Sequence, residues 1–316
     1  MTDIRLAPLA SVTDWPFRLL CFEQGCACAY TEMVSAQGFV YAGFQKAVQD
    51  LLLRAEGEKK LIVQIFGQDP EIMAEAARRL NAMERFDGID INMGCPMRKV
   101  TSGGAGAALM QTPELASRIM EQVVRASALP VSVKMRTGWD HDHVNCVDMA
   151  CRAEACGVRE ITVHGRTRDQ MYSGQADWEI IQEVRRHVHI PVLGNGDLLD
   201  AQAVGRRAET CHVDGFMIAR GAQGNPWIFS QAEKILTGKP VQTIPIKQRL
   251  PVMIRHYEMM LKWKPEKVAV TEMRKHLAWY LHGLRGAARM RDLLNHITDP
   301  GTVIRSLEDF ASQAEN

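Results

Sequence analysis

Cys95 stands between a glycine and a proline in the stretch Gly88-Ile89-Asp90-Ile91-Asn92-Met93-Gly94-Cys95-Pro96. The β-favouring run around Ile89 and Ile91 stops at a Gly-Cys-Pro break that neither strand nor helix continues. A thiol is left on a tight loop just past the C-terminal end of a strand, a poor place for a cysteine that only fills space. Other apolar runs end in polar residues too: Gln64 before Ile65-Phe66, Lys134 and Arg136 after Val133, His164 and Arg166 after Val163, the Asn195-Gly196-Asp197 turn, and Ala219-Arg220-Gly221. Singly, each reads as a capped or solvated polar residue. Together a lysine, a histidine, a glutamine and three arginines crowd one rim, and packing gives little reason for that. Glycines near helix N-termini expose backbone N–H groups that suit a phosphate, and Arg220 adds a fork for its oxygens. Lys134, on the opposite arc, suits an electron-rich ring that turns negative when reduced. Gln64 can donate and accept along the edge of a planar heterocycle. A cofactor with a phosphate tail and a redox ring fits this set, and FMN is the economical choice. The dinucleotide-like cluster Gly103-Gly104-Ala105-Gly106 follows a loop, lacks the required spacing and reads as a flexible loop.

These residues need a scaffold that brings many strand ends to one mouth. Eight short β-like runs precede residue 221: Ile4–Ala7, Ala27–Thr31, Leu61–Phe66, Gly88–Asn92, Pro130–Met135, Glu160–Val163, Pro191–Gly194 and Gly215–Ala219. Helical segments lie between most of them. Asp69-Pro70-Glu71 and Thr112-Pro113-Glu114 each offer an N-cap, a first-turn proline and an acid; Asp177 precedes a third helix. Strand and helix alternating eight times predicts an α/β TIM (β/α)8 barrel; an open doubly wound sheet is the weaker alternative. From Gln242 the pattern turns helical, with helices expected over Ile246–Trp263, Val268–Leu284, Met290–Ile297 and Val303–Ala311. The expected division is a catalytic barrel, residues 1–241, followed by a small C-terminal all-α helical domain, residues 242–316.

The 316 residues, 46% of them hydrophobic, suffice for one large barrel and a modest appendage. Eight cysteines invite a disulfide or metal reading, but their placement argues against both. Cys146, Cys151 and Cys156 would fall on different helix faces, and Cys26 and Cys28 are too close for a zinc hook. Reduced, packed thiols, no metal and a cytoplasmic location are therefore expected. The His141-Asp142-His143 run reads as a solvated loop. No signal peptide and no membrane-length apolar run is present, so a soluble monomer with no membrane contact is expected. The net charge of +1 hides an asymmetry: from Val241 onward 12 Lys/Arg stand against 8 Asp/Glu, a local +4. A basic appendage on a near-neutral body is consistent with a polyanion partner.

Several stretches resemble the bacterial tRNA-dihydrouridine synthases, most closely their B-type branch. They are Ala-Pro-Leu-Ala-Ser-Val-Thr-Asp (7–14), Asp-Ile-Asn-Met-Gly-Cys-Pro (90–96), Val-Lys-Met-Arg-Thr-Gly-Trp (133–139), Thr-Val-His-Gly-Arg-Thr (162–167), Asn-Gly-Asp (195–197) and Ala-Gln-Gly-Asn-Pro-Trp (222–227). Arg274-Lys275-His276 with Trp279-Tyr280 resembles that family's helical signature. The resemblance implies FMN-dependent, NADPH-driven reduction of the C5=C6 bond of a uridine in tRNA. It implies Cys95 as general acid, and Pro8, Leu9, Ala10, Gln64, Lys134, His164, Asn195, Gly196, Asp197, Ala219 and Arg220 as flavin contacts. Leu9 stands where the family usually has Met, and Ala219 where it usually has Gly, which adds a methyl near the expected phosphate.

Candidates for contact with tRNA are Asn92, Arg98, Lys99, Arg136 and Arg166 near the chemistry, and Arg274, Lys275 and His276 in the helical domain. Trp279 and Tyr280 are candidates to stack on a splayed base or to serve as interface core. Two rival readings stay open: a flavin enzyme acting on free pyrimidines, whose barrels also use an Asn-x-x-Cys-Pro loop, and a tRNA-binding factor without catalysis.

Overall fold

The apolar runs become parallel strands because most are buried on both faces, which suits Val- and Ile-rich sequence without strict alternation. A computed structural model describes residues 3–41 and 45–313. Its strands are β1 (Asp3–Leu6), β2 (Cys28–Tyr30), β3 (Leu61–Phe66), β4 (Gly88–Met93), β5 (Val131–Arg136), β6 (Glu160–His164), β7 (Val192–Asn195) and β8 (Gly215–Ile218). Each pairs in parallel with the next, and β8 pairs back with β1, closing an eight-stranded TIM barrel. Past Tyr30 a two-residue piece, Val34–Ser35, pairs with Ile65–Phe66 as an extension of the β2 edge; the sequence reading does not foresee it.

The register arranges the mouth. Gln64 is paired with Asp90, Asn92 with Lys134, Arg136 with His164, and His164 with Asn195. Polar side chains at equivalent heights on adjacent strands therefore meet. Inside the barrel, Ala7, Cys28, Tyr30, Ile62 and Met217 form a small apolar plug. Toward the closed end Arg5 donates to Glu160 at 2.5 Å and to Tyr30 at 3.1 Å. The main apolar layer lies between strands and outer helices and includes Ile65, Ile91, Val133, Met73, Ile119 and Ile181.

Two of the expected caps form: Asp69 accepts from the N–H groups of Glu71 and Ile72, and Asp177 from those of Glu179 and Ile180. Thr112 is a correction. It stands before the helix Pro113–Ala126, but its side chain makes no capping bond. The Gly103–Gly106 segment is corrected at its second half: Gly103 and Gly104 form a turn with Gly103 exposed, but Ala105 and Gly106 are buried, and the next residue, Ala107, donates its N–H to Cys95 O at 3.1 Å.

Four C-terminal helices, Ile246–Trp263, Glu266–Tyr280, Ala287–His296 and Pro300–Gln313, follow the expected order with ends shifted by a few residues. They build their own apolar cluster around Met253, Tyr257, Met273, Leu277 and Leu307, and that cluster also takes in Trp227 from the barrel side. The two parts interlock further. Phe17 stacks at 5.9 Å on His256, Arg255 pairs with Glu23, and Gly224 lies against the backbone of Trp279 and Tyr280.

Candidate active site

At the C-terminal ends of the strands a cavity of about 530 Å³ opens, a size typical of cofactor pockets. Cys95, Asn92, Gln64, Lys134, Arg136, His164, Asn195, Gly196, Asp197, Ala219, Arg220 and the Pro8-Leu9-Ala10 segment all line it. Residues scattered over more than 200 positions thus converge on one space.

A chain of hydrogen bonds holds the Cys95 loop. Ser132 Oγ donates to Asp90 at 2.7 Å, and Gln64 Nε2 donates to the other Asp90 oxygen at 2.7 Å. Asn92 Nδ2 donates to Gln64 Oε1 at 2.8 Å, and Asn92 Oδ1 accepts from the N–H groups of Gly94 (3.1 Å) and Cys95 (2.9 Å). This sequence of donors fixes which way each amide faces. Burial raises the Asp90 carboxyl to about 6. From behind, Gly106 supports the loop at φ +61°; a Cβ there would come within 2.9 Å of Cys95 O. Only glycine suits both the torsion and the space.

The Cys95 thiol is half-buried, and desolvation raises its pKa above the usual thiol value, outweighing the Met97 N–H and the Arg136 and Lys134 charges that favour thiolate. It therefore holds its proton at neutral pH, the state of an acid and not of a nucleophile. Lys134 Nζ donates to Asn195 Oδ1 at 3.1 Å, while Asn195 Nδ2 is anchored on Met217 O at 2.7 Å. Desolvation, then Arg136, pulls the Lys134 ammonium down to about 8. A half-buried ammonium at the cavity wall, only partly offset by Asp90, is a receptor for negative charge. Desolvation and the surrounding cations push His164 well below its ordinary value, so its ring is neutral.

Three of the tRNA candidates are withdrawn from bulk solvent. Arg136 is 2% exposed and donates to Gly94 O, Thr167 O and Met171 O, bracing two loops. Arg166 is equally buried and clamps Ser173 O, Gly174 O and the Asp197 carboxylate. His276 is fully buried between the barrel and the helices. Of the three, Arg136 still lines the cavity. Arg98 and Lys99 are exposed on the short helix Arg98–Thr101 beside Cys95; Arg274 and Lys275 are half-exposed. Tyr280 is core, whereas Trp279 borders a groove. Asp197 lines the cavity, but its carboxylate is spent on Arg166, Arg220 and Ala176 N–H, which hold its backbone at φ +53°.

Sequence reasoning misses Asp90, although it lies within the quoted motif, because its role appears only through the β3–β4 register. It also misses Tyr172, an exposed ring at the cavity edge with the Arg136 and Arg220 guanidiniums 5.9 and 5.0 Å from its centroid.

The chain matches the dihydrouridine synthase (Dus) family model over residues 5–315. It belongs to the Dus family. That makes it a flavin-dependent oxidoreductase. It is 39% identical over 310 residues to a probable tRNA-dihydrouridine synthase of Rickettsia conorii, covering 98% of this chain and 93% of that one. To the tRNA-dihydrouridine synthase B proteins of Pasteurella multocida and Pseudomonas aeruginosa it is 37% and 38% identical, covering 97% and 98% of this chain and 92% and 93% of theirs. Among solved structures, histamine dehydrogenase from Rhizobium sp. 4-9 superposes with a TM-score of 0.56 at 11% identity, over 87% of this chain and 49% of that one. A variant of NCR from Zymomonas mobilis gives 0.52 at 12% identity, over 78% and 90%. At such identities the two structures speak for the barrel fold alone.

The donor set of this Dus protein fits a flavin. The cavity offers a half-buried cation, an oriented amide pair, a neutral imidazole and, at the β7–β8 side, Arg220 on an exposed rim.

Proposed function

We propose that this chain is a tRNA-dihydrouridine synthase that uses FMN and NADPH to reduce the C5=C6 bond of a tRNA uridine. One observation carries the reading: in a Dus-family chain, a protonated thiol and a charge-accepting lysine face the same pocket at the barrel mouth. Lys134, Gln64 and His164 would hold the ring, and Arg220 with the Gly196 and Ala219 backbone the phosphate. When bound, FMN supplies the hydride for C6. Cys95 gives its proton to C5, and its raised pKa keeps that proton available at neutral pH. Asn92 sets the Cys95 loop, and Lys134 offsets negative charge on the neighbouring ring.

The reading assigns residues 1–241 to the cofactor and 242–316 to the tRNA. A second cavity of about 460 Å³ shares Leu199, Arg220 and Gln223 with the first and reaches Trp279 and His282 of the helical part. Such a groove supports a path for RNA leading to the cofactor. A uridine reaches this mouth only when unstacked, at a cost of a few kcal/mol that backbone contacts must offset. Arg98, Lys99, Arg274 and Lys275 are the exposed or half-exposed cations assigned to those contacts. Among the described residues no helix is long and apolar enough to cross a membrane, and a tRNA substrate places the enzyme in the cytoplasm.

The test is purified yellow protein, reduced with NADPH and offered unmodified tRNA or free uracil. Dihydrouridine in the tRNA, seen as a gain of two hydrogens by mass spectrometry, supports the reading. Turnover of free uracil with none on tRNA assigns it to the free-pyrimidine class.

A further inference from the structure

Asp14, His256 and His276 bring three metal-binding donors together between the barrel and the C-terminal helices: one atom from each lies within 4.8 Å of the other two. Asp14 caps the helix Trp15–Glu23, His256 sits on Ile246–Trp263 and His276 on Glu266–Tyr280. Both imidazoles are 0% exposed and Asp14 is 7% exposed. Among the described residues neither ring nitrogen of His276 has a hydrogen-bond partner, and nor does Nε2 of His256. Buried polar atoms are ordinarily paired, so unpaired nitrogens on both of these adjoining rings call for an occupant.

The bonds these residues do make prepare them as ligands. The Tyr280 hydroxyl holds Nδ1 of His256 at 3.2 Å and leaves Nε2 for the pocket. Phe17 N–H holds Oδ1 of Asp14 at 3.1 Å and leaves its second oxygen. Such outer partners are what orient metal-binding imidazoles and carboxylates. Burial pushes both rings below the ordinary imidazole value and so keeps them neutral, the form that binds metal; it also raises the Asp14 carboxyl to about 7, although Lys264 and Arg18 act to lower it.

We propose that Asp14, His256 and His276 bind one divalent transition-metal ion of the zinc class that staples the helical part to the barrel. Two nitrogens and one carboxylate oxygen form a borderline donor set suited to zinc. Ligands about 2.1 Å from one tetrahedral ion stand about 3.4 Å apart, so ligand atoms that now lie within 4.8 Å of one another draw together around it. The fourth position goes to a water entering at the exposed edge of Asp14, or to Oδ1 of that carboxylate. No substrate reaches the site, so the ion is structural. Its effect passes to the flavin pocket through Asp14, which ends the segment whose Pro8, Leu9 and Ala10 line the cavity. The inference does not depend on which pyrimidine is reduced.

The experiment uses full-length protein without a metal-affinity tag. Elemental analysis is expected to find close to one zinc per chain. After chelation, added Co2+ is expected to produce visible ligand-field bands, and Zn2+ to restore the melting temperature. His276→Gln and Asp14→Asn are expected to lose the metal while flavin absorbance remains. If either variant fails to fold, the wild-type measurements decide alone. Metal-free wild-type protein that shows no Co2+ bands and no Zn2+ thermal shift overturns the proposal, with water filling the pocket instead.

Discussion

Asn92→Ala removes the connection between the barrel interior and the Cys95 loop. The side chain is 7% exposed; it accepts from Gly94 and Cys95 N–H, donates to Gln64, and makes a long, weaker contact at 3.7 Å to Met33 Sδ. At about 1 kcal/mol net per bond, with water replacing one loop contact, the loss comes to roughly 2–3 kcal/mol. For a chain of this size that lowers the melting temperature by about 4–12 °C. A loop freed by about 1 Å should cost catalysis about 100-fold. The assay is single-turnover formation of dihydrouridine by pre-reduced enzyme, with flavin affinity measured alongside. Asn92→Asp sharpens the test, because it still accepts from both N–H groups but cannot donate to Gln64. Gln64 then has to flip and present its oxygen to Asp90, which requires a protonated Asp90 carboxyl. Asn92→Asp should therefore recover activity as pH falls through about 6, a rescue that Asn92→Ala lacks. An Asn92→Ala enzyme within about twofold of wild type in rate, with unchanged stability, would refute the reasoning.

Lys134 is held near 8 by burial, so a bound anionic ring should be gripped less firmly as pH rises past about 8, well before the ordinary lysine value. A reduced-flavin dissociation constant measured against pH should show that break in wild type and not in Lys134→Met. Gly106→Ala forces a methyl against Cys95 O in a left-handed conformation, and activity should fall at least 10-fold with flavin still bound. Gly224→Ala sets a Cβ 2.3 Å from the Trp279 backbone at φ +64°. It should loosen the helical part, seen as faster proteolysis between residues 237 and 246, while flavin binding changes less.

The barrel is legible in the sequence because eight apolar, β-branched runs sit between capped helices. Leu61–Phe66 is read to the residue, and Gly88–Met93 to within one. The pocket is legible because its polar residues end those runs, and closing the barrel gathers the ends. The fate of individual charges is not. Arg136 and Arg166 look like free cations in a linear sequence, yet both fold back onto backbone carbonyls of neighbouring loops. His276 belongs to an Arg-Lys-His run, but helical spacing turns it inward while Lys275 stays half-exposed. Gly103–Gly106 resembles a flexible loop by composition and its second half turns out to buttress the cysteine, a contact set by tertiary packing alone. Removing residues 242–316 would uncover Phe17 and Trp227, so the helical part is better probed by charge reversal at Arg274 and Lys275 than by truncation.

The account rests on Cys95 as the proton donor to a carbon of the substrate base. Its most direct measurement is a single turnover of Cys95→Ala, loaded with flavin and reduced, against unmodified tRNA. The expected result is yellow, reducible protein that binds tRNA and forms dihydrouridine at least about 100-fold more slowly than wild type. Product formation at a near wild-type rate would contradict it.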